Sequence, residues 1–226
     1  MQDKVFIISL GGSTIVPDNI DVNFLSEFRK LIISHARKGK KFIIIAGGGR
    51  TARNYMDAAG KIVSVSPEDK DWLGIHSTRL NAHLLRIIFK EYSNAKLVKN
   101  PNKMVKFRKS IIIAAGYKPG CSTDYDSVLL AKNLGVKSII NISNISYVYT
   151  RDPNKFSDAK PIREISWKDF RKIVGKKWDP GLNVPFDPVA SRACEVLKMK
   201  VFIVGKNLKN LNCLLLHKSF EGTLIR

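Results

Sequence analysis

Two glycine-rich turns, each directly after an apolar run with the character of a β-strand, constrain this 226-residue chain more than any other feature. Residues 7–10 lead into Gly11-Gly12-Ser13, and residues 42–46 lead into Gly47-Gly48-Gly49. A glycine turn lets backbone N–H groups approach an anion, and the following helix adds partial positive charge at its N-terminus. Either turn alone is typical of a tight strand-to-helix connection. Two such turns in one chain would let two phosphorylated ligands meet, and the motifs that follow them in the sequence favour this interpretation.

β-Branched runs alternate with helical patterns along the chain. The pattern predicts strands at residues 4–10, 42–46, 111–115, 138–142 and 201–204. It predicts helices at residues 22–38, 50–59, 123–134 and 188–198, and a long insertion at residues 62–92 that is helical after Pro67. Strands separated by helices pair in parallel, and strands that are apolar throughout are covered on both faces. We therefore expect an α/β protein: a three-layer α/β/α sandwich around a mainly parallel open sheet, with the site at the carboxyl ends of the strands.

Composition predicts a globular protein with an affinity for anions. The chain is 44% apolar, and 39 Lys and Arg residues against 19 Asp and Glu residues give a net charge of +20. Nucleic acid is therefore a possible partner. It is not favoured, because the basic residues are interleaved with apolar positions and no zinc-finger, RNA-binding or basic-zipper signature accompanies them.

Cysteine content and hydropathy bear on the cellular compartment. Cys121, Cys194 and Cys213 are few and odd in number, which favours a reducing compartment over a disulfide framework. No apolar run approaches the roughly 20 residues that span a bilayer. We expect a cytoplasmic protein with no membrane partner.

Two common phosphate-binding fingerprints are absent, because the first glycine turn matches neither a P-loop nor a dinucleotide-binding motif. Instead, a series of motifs in order and spacing resembles the amino-acid kinase family, specifically its archaeal-type UMP kinase branch. These motifs are Ser9-Leu10-Gly11-Gly12-Ser13, residues 47–55, 71–75 with 78–82, 119–124, 148–153 and 187–192. The block formed by residues 47–55, 71–75 and 78–82 is similar to the UMP kinase branch and not to relatives that phosphorylate amino acids.

The resemblance implies transfer of the γ-phosphoryl group of ATP, bound with Mg²⁺, to the phosphate of UMP. Such a reaction depends mainly on in-line placement of two polyanions and on neutralising the charge between them. It also implies one domain over residues 1–226, with an acceptor-nucleotide lobe at about 1–120 and an ATP-binding lobe at 121–226. No metal-ligand set is expected in the protein itself, and the family suggests a homohexamer built from dimers.

Site residues follow from the resemblance position by position. The catalytic residues are expected to be Asp187, Gly12 and Arg192. The UMP-binding residues are expected to be Gly48, Gly49, Arg53, Asp71, Ser122, Thr123 and Asp124. The ATP-binding residues are expected to be Gly11, Gly12, Ser13, Asn144, Tyr149 and Asp152.

Several of these residues have a purely structural alternative. Arg53 and Arg192 also fit solvated helix residues, and Asp71 fits one more acid in a mixed charged run. The side chains at residues 122–124 also fit caps of the helix that begins there, and Asp187, before a proline, fits a helix N-cap.

One residue and two segments depart from the family pattern. Ser9 stands where many members of the wider family carry a lysine. Residues 144–147 lack the usual aspartate and glycine of the ATP side, and residues 180–186 replace a serine-rich stretch with a stiffer, more apolar one. Two alternatives to UMP kinase therefore stay open: a kinase of another small phosphorylated metabolite, and a non-catalytic nucleotide- or nucleic-acid-binding member.

Overall fold

The computed structural model describes residues 4–153, 155–175 and 184–226. Its strands are β1 (Val5–Leu10), β2 (Lys41–Ala46), β3 (Ile111–Ala114), β4 (Ser138–Ile142), β5 (Val148–Tyr149), β6 (Pro161–Ile162), β7 (Glu164–Ile165), β8 (Lys200–Val204) and β9 (Thr223–Ile225). Its helices are α1 (Gly12–Ile15), α2 (Val22–Arg37), α3 (Gly49–Ile62), α4 (Pro67–Ile88), α5 (Thr123–Asn133), α6 (Trp167–Val174), α7 (Pro188–Val196) and α8 (Leu208–Leu215).

A seven-stranded sheet forms the centre of the molecule, with strand order β3-β2-β1-β4-β8-β9-β7. The first five strands of this order run parallel to one another, β9 is antiparallel to β8, and β7 is parallel to β9. β5 and β6 pair separately as a small antiparallel ribbon. The predicted, mainly parallel open sheet is thus confirmed.

Two apolar cores cover the two faces of the sheet. Alternate residues of β1 point to opposite sides, so Phe6 and Ile8 join one core and Ile7 joins the other. The first core is completed by α2, α4 and α8, and the second by α5, α6 and α7. This arrangement is the expected α/β/α sandwich.

Most predicted elements are present, with shifts of one to three residues at several ends. The insertion forms α4, which begins at Pro67 behind an N-cap at Ser66. The pattern did not predict α6, α8 or the short strands β5, β6, β7 and β9. None of the helices within the described ranges is long and apolar enough to cross a bilayer.

Candidate active site

The main cleft lies at the carboxyl ends of the parallel strands, where the strand order changes direction. From β1 the chain proceeds outward to β2 and β3, and it then crosses back to β4 on the other side of β1. Such a switch point leaves a crevice between two oppositely directed connections. The cleft there has a volume of about 540 Å³. The segments that follow β1, β2, β3 and β4 all contribute to its lining.

The two glycine turns are in direct backbone contact at the floor of this cleft. A Cβ atom on Gly12 would lie 1.9 Å from Gly49 N, and a Cβ atom on Gly47 would lie 2.3 Å from Gly12 N. A hydrogen bond of 2.9 Å from Gly47 N to Leu10 O joins the turns. Gly49 adopts a φ of +66°, a conformation that other residues rarely adopt. The paired turns inferred from the sequence therefore form one structural unit.

Asn81 on α4 fixes the second glycine turn from behind. Its side-chain amide donates hydrogen bonds to Gly47 O at 2.8 Å and to Gly48 O at 3.1 Å. Asn81 is buried, so the two carbonyl groups would have little access to water without it. Both carbonyl oxygens are thereby held toward α4.

Arg53 lies on α3 and faces the same cleft. Its Nη1 is 3.5 Å from the Ser13 hydroxyl, so it spans from the second glycine turn to the first. Among the cleft-lining residues that the structure describes, Arg53 is the only cation. The planar guanidinium can bind a phosphate through two parallel hydrogen bonds.

The loop after β3 closes one side of the cleft through two side chains of α4. Asp71 Oδ2 accepts a hydrogen bond from Gly120 N at 2.8 Å, and Thr78 Oγ1 accepts one from Gly116 N at 2.9 Å. Burial raises the pKa of Asp71, although the Gly120 hydrogen bond acts in the opposite direction. Asp71 therefore anchors a loop and also lines the cleft.

Asp124, in the first turn of α5, lies between the two halves of the site. Its carboxylate accepts hydrogen bonds from Ser9 Oγ at 3.0 Å and from Asp187 N at 3.1 Å. Burial, followed by the negative charge of Asp187, raises the pKa of Asp124 to about 7. The carboxyl group of Asp124 therefore binds a proton more readily than an exposed aspartate does.

Asp187 caps α7 behind Asp124. Asp187 Oδ1 accepts a hydrogen bond of 2.6 Å from Ala190 N, and the side chain is only 3% exposed. The other oxygen, Oδ2, is buried without a hydrogen bond from any residue that the structure describes. Burial raises the pKa of Asp187, partly offset by the backbone amides of Ala190 and Val189. The helix-capping alternative is thus observed, and it leaves one carboxylate oxygen available for another role.

The structure brings most of the expected site residues together around the cleft. These are Gly11, Gly12, Ser13, Gly48, Gly49, Arg53, Asp71, Ser122, Thr123, Asp124 and Asn144. Ser122 is also the N-cap of α5, because its hydroxyl accepts a hydrogen bond from Tyr125 N at 3.1 Å. Ligand contact and capping therefore remain compatible at this position.

Four expected residues lie outside the lining. Asp187 is buried behind Asp124, and Arg192 is exposed on α7. Tyr149 is half-buried in β5 with its ring centroid 6.5 Å from that of Tyr147, and Asp152 is exposed beyond it. In the apolar 180–186 stretch, residues 180–183 lie outside the described residues, whereas Val184 and Pro185 line the cleft.

Three further polar residues of the site were not assigned roles from the sequence. Asn81 and Thr78 occurred in a motif but had no predicted function. Asn141, near the end of β4, lines the cleft and donates a hydrogen bond to Pro185 O at 3.1 Å. A lone polar residue near the carboxyl end of an otherwise apolar parallel strand was the signal that could have identified it.

The described residues contain no cluster of three or more His, Cys, Asp or Glu side chains arranged to hold a metal ion. Asp124 and Asp187 are adjacent but form only a pair. Mg²⁺ typically keeps several waters and binds through one or two carboxylates together with substrate phosphates. The pair of carboxyl groups at this cleft is compatible with Mg²⁺ binding of that kind.

Comparisons with known proteins agree on one family for this chain. Residues 4–205 match the sequence profile of the amino acid kinase family. A protein named uridylate kinase from Pyrococcus abyssi is 34% identical over 204 residues, which cover 88% of this chain and 89% of that protein. Another of the same name from Thermoplasma volcanium is 32% identical over 218 residues, which cover 95% and 94% of the two chains.

A solved structure supports the same fold. The crystal structure of uridylate kinase from Archaeoglobus fulgidus matches with a TM-score of 0.83 at 28% identity. The match covers 99% of this chain and 100% of that one. The overall fold is therefore shared with a protein of known structure.

Proposed function

Because the chain belongs to the amino acid kinase family, we propose that it is a UMP kinase that transfers the γ-phosphoryl group of ATP to UMP, giving ADP and UDP. The observation that carries this proposal is the direct contact between the two glycine turns in one cleft. Two phosphate-binding turns in contact can hold donor and acceptor phosphates close enough for in-line transfer. The relatives named uridylate kinase align over most of their length, which supports UMP as the acceptor.

On the acceptor side, the backbone amides at Gly48 and Gly49 and the guanidinium of Arg53 would bind the phosphate of UMP. Asp71 and residues 122–124 would contact the nucleoside, because both line the cleft and Asp71 accepts a hydrogen bond from Gly120 N, just before residues 122–124. A carboxylate at Asp71 can accept hydrogen bonds from ribose hydroxyls. This side belongs mainly to the proposed acceptor lobe at about residues 1–120.

On the donor side, residues 11–13 would line the path of the transferred phosphoryl group. Asn144, Tyr149 and Asp152 would border ATP, and Arg192 would add positive charge near its phosphates. The carboxylate of Asp124, which lines the cleft, would face the Mg²⁺ that accompanies ATP or the waters of that ion, and Asp187 would support Asp124 from behind.

Few positively charged side chains line the cleft in the described part of the chain. Ser9 occupies the position of the lysine found in many members of the wider family, and it donates a hydrogen bond to Asp124. Arg53 then supplies the permanent positive charge on the acceptor side.

An acceptor panel tests the proposal. Purified protein with Mg²⁺ and ATP is incubated with UMP, CMP, AMP or isopentenyl phosphate, and the phosphorylated products are quantified. We expect UMP to be converted far faster than the others. Turnover of another acceptor but not of UMP would instead support a different small-phosphate kinase, and no turnover of any acceptor would support a non-catalytic member.

Asp187→Ala provides the control for contaminating kinases. The variant is expected to lose turnover while it still binds ATP in equilibrium dialysis, because Asp187 lies behind the cleft and does not line it. Equal turnover by the variant and the parent protein would assign the activity to a contaminant or remove Asp187 from the mechanism.

The same proposal implies a role in pyrimidine nucleotide synthesis in the cytoplasm and, by family, a homohexamer. Phe24, Phe28 and Ile32 on α2 are buried in the first core, so they are not available for subunit contacts. Exposed apolar side chains occur instead on and after α3 and on α4, including Tyr55, Ile62, Val63, Leu80 and Ile87. An assembly would use these surfaces.

A further inference from the structure

The amino ends of the five parallel strands each carry a lysine. Lys41 and Lys200 begin β2 and β8, Lys4 and Lys137 directly precede β1 and β4, and Lys109 lies two residues before β3. In the spatial order of the strands these residues run Lys109, Lys41, Lys4, Lys137 and Lys200, and we refer to them as the lysine row. The row lies along the amino ends of the parallel strands, at the end of the sheet opposite the cleft.

Backbone pairing shows that these positions are neighbours. Lys41 N donates to Lys4 O at 2.7 Å, and Lys200 N donates to Lys137 O at 2.9 Å. The β1–β4 register, in which Ile7 lies opposite Ile139, sets Lys137 beside Val5. With strands about 4.8 Å apart, the row extends over roughly 19 Å. A linear anion can contact the whole row, whereas a single phosphate group cannot.

All five lysines are exposed, and none forms an ion pair with a carboxylate in the described part of the chain. Three of them contact neutral groups instead. The ammonium of Lys41 lies 5.2 Å from the Phe107 ring centroid, Lys109 Nζ donates to Lys90 O at 3.0 Å, and Lys137 Nζ donates to Leu197 O at 3.3 Å. Within the described ranges, no carboxylate thus neutralises the positive charge of the row.

The loops leading into these strands extend the positive surface. Residues 38–40, 89–110, 134–137 and 197–199 lead into β2, β3, β4 and β8 and contain many Lys and Arg residues but a single acid, Glu91. This imbalance is far stronger than that of the chain as a whole. Acidic residues that would neutralise the row are therefore lacking in these loops.

From this arrangement we infer that the lysine row is a docking surface for the phosphodiester backbone of a single-stranded nucleic acid. The strand register places Lys41 and Lys137 on one face of the sheet and Lys109, Lys4 and Lys200 on the other, so the five positive charges form a staggered band at one end of the sheet. Such a band can accompany a chain of phosphates, and lysine binds phosphate as a point charge without sequence selection. The strand residues that follow the lysines, such as Phe42 and Val201, are buried in the cores. Met104, in the loop before β3, is exposed, but the strand starts present lysines and no broad apolar face among the described residues. An interfacial membrane site needs such a face, which favours nucleic acid over a lipid surface.

The surface would act independently of the proposed kinase site. β1 has six residues, so the row lies about 20 Å from the cleft. Bound nucleic acid would leave the cleft open to UMP and ATP. Nucleotide phosphorylation and nucleic-acid binding can therefore be measured separately in one protein.

The test uses Lys4→Gln, Lys41→Gln and Lys137→Gln together, with Lys155→Gln, Lys160→Gln and Lys209→Gln as the matched control. Both triple variants lose three positive charges, but the control lysines lie on the segments around β5 and β6 and at the start of α8. Binding of a fluorescent single-stranded RNA of about 20 nucleotides is measured by anisotropy between roughly 50 and 200 mM KCl. Thermal melts verify that both variants fold.

We expect the row variant to bind RNA at least tenfold more weakly than the parent protein, as a rough estimate. The plot of the logarithm of the RNA-binding constant against the logarithm of the salt concentration should become less steep by roughly 2, because each phosphate contact with a single strand contributes about 0.7 to its slope. The control should retain most of the binding, UMP with ATP should not compete, and UMP phosphorylation should be unchanged in the row variant. Three results would overturn the inference: equal loss in both variants, competition by UMP and ATP, or row-dependent binding to phosphatidylserine vesicles without RNA binding.

Discussion

Gly12 has no room for any side chain, because an added Cβ would lie 1.9 Å from Gly49 N and 2.6 Å from Gly49 Cα. Both neighbours are backbone atoms, so a rotamer change cannot relieve the clash. Gly12→Ala should therefore separate the two glycine turns, abolish UMP phosphorylation and destabilise the fold by about 1–3 kcal/mol. Steady-state assays and urea denaturation measure the two effects.

Gly60→Ala is the matched control in the same structural unit. Gly60 lies within α3, and an added Cβ there would meet no atom within 4 Å. Alanine should preserve activity and raise the free energy of unfolding by up to about 1 kcal/mol, because it favours the helix. Comparable loss of activity in the two variants would refute the steric argument.

Asp126 links the stability of the protein to pH. It is buried, its Oδ2 accepts a hydrogen bond from Tyr117 N at 3.0 Å, and burial raises its pKa to about 7. In the unfolded chain the carboxyl ionises near pH 4, so between about pH 4 and 7 the folded state binds more protons and the free energy of unfolding falls as pH rises. Urea titrations at several pH values should therefore show a smaller decline in the free energy of unfolding for Asp126→Asn than for the parent protein, by up to about 4 kcal/mol.

Asp169→Asn is the control for this pH effect. Asp169 is exposed, and its pKa is lowered by hydrogen bonds from Lys172 and Ser166. Its titration therefore lies below the window in which Asp126 acts. If Asp126→Asn changed the pH slope no more than Asp169→Asn, a raised pKa at Asp126 would be untenable.

At the scale of elements, α7 shows how one residue can combine a structural and a catalytic role. Asp187→Asn retains an oxygen to cap Ala190 N, whereas Asp187→Ala does not. Both variants should lose turnover, but only alanine should lose about 0.5–2 kcal/mol of stability from the missing cap. Activity assays and thermal melts on the same preparations separate the two roles.

Ser66→Ala is a structural control for that comparison, because Ser66 caps α4 by accepting a hydrogen bond from Asp69 N at 3.1 Å. It should cost a similar amount of stability and leave turnover intact. Full activity in Asp187→Asn would show that capping alone explains Asp187.

Some helices and strands could be predicted from local sequence patterns, and others could not. Strands β1, β2 and β4 were predictable because their apolar runs are long enough to be covered on both faces. α6 carried a usable sequence signal. Ser166 and Asp169 have the spacing of a helix start, and their side chains hydrogen-bond to each other in the structure. The apolar residues Trp167, Phe170 and Val174 follow at helical spacing. β7 and β9 have only two and three residues, too few for a local pattern. Their pairing depends on the sheet edge against which they lie.

At the scale of the whole molecule, the net charge of +20 should make stability depend on salt. Like charges repel one another in the compact state, and added ions screen that repulsion. The Tm is expected to rise by a few degrees between about 10 and 200 mM KCl without nucleotide. Because KCl is not a strongly stabilising salt, the rise would report screening, and a Tm that fell would show that stabilising ion pairs dominate.

The amino-acid sequence by itself determined the α/β class, the glycine turns and the alternation that forces parallel strands, because each depends on residues near one another in the chain. It also carried the motifs of the family. Strand order does not follow from such local patterns, since many orders satisfy the same apolar runs. Only the tertiary structure set β1 beside both β2 and β4, brought Asp124 against Asp187, turned Asn81 onto the second glycine turn and aligned five distant lysines. Those contacts join residues far apart in the chain, and long-range packing alone decides them.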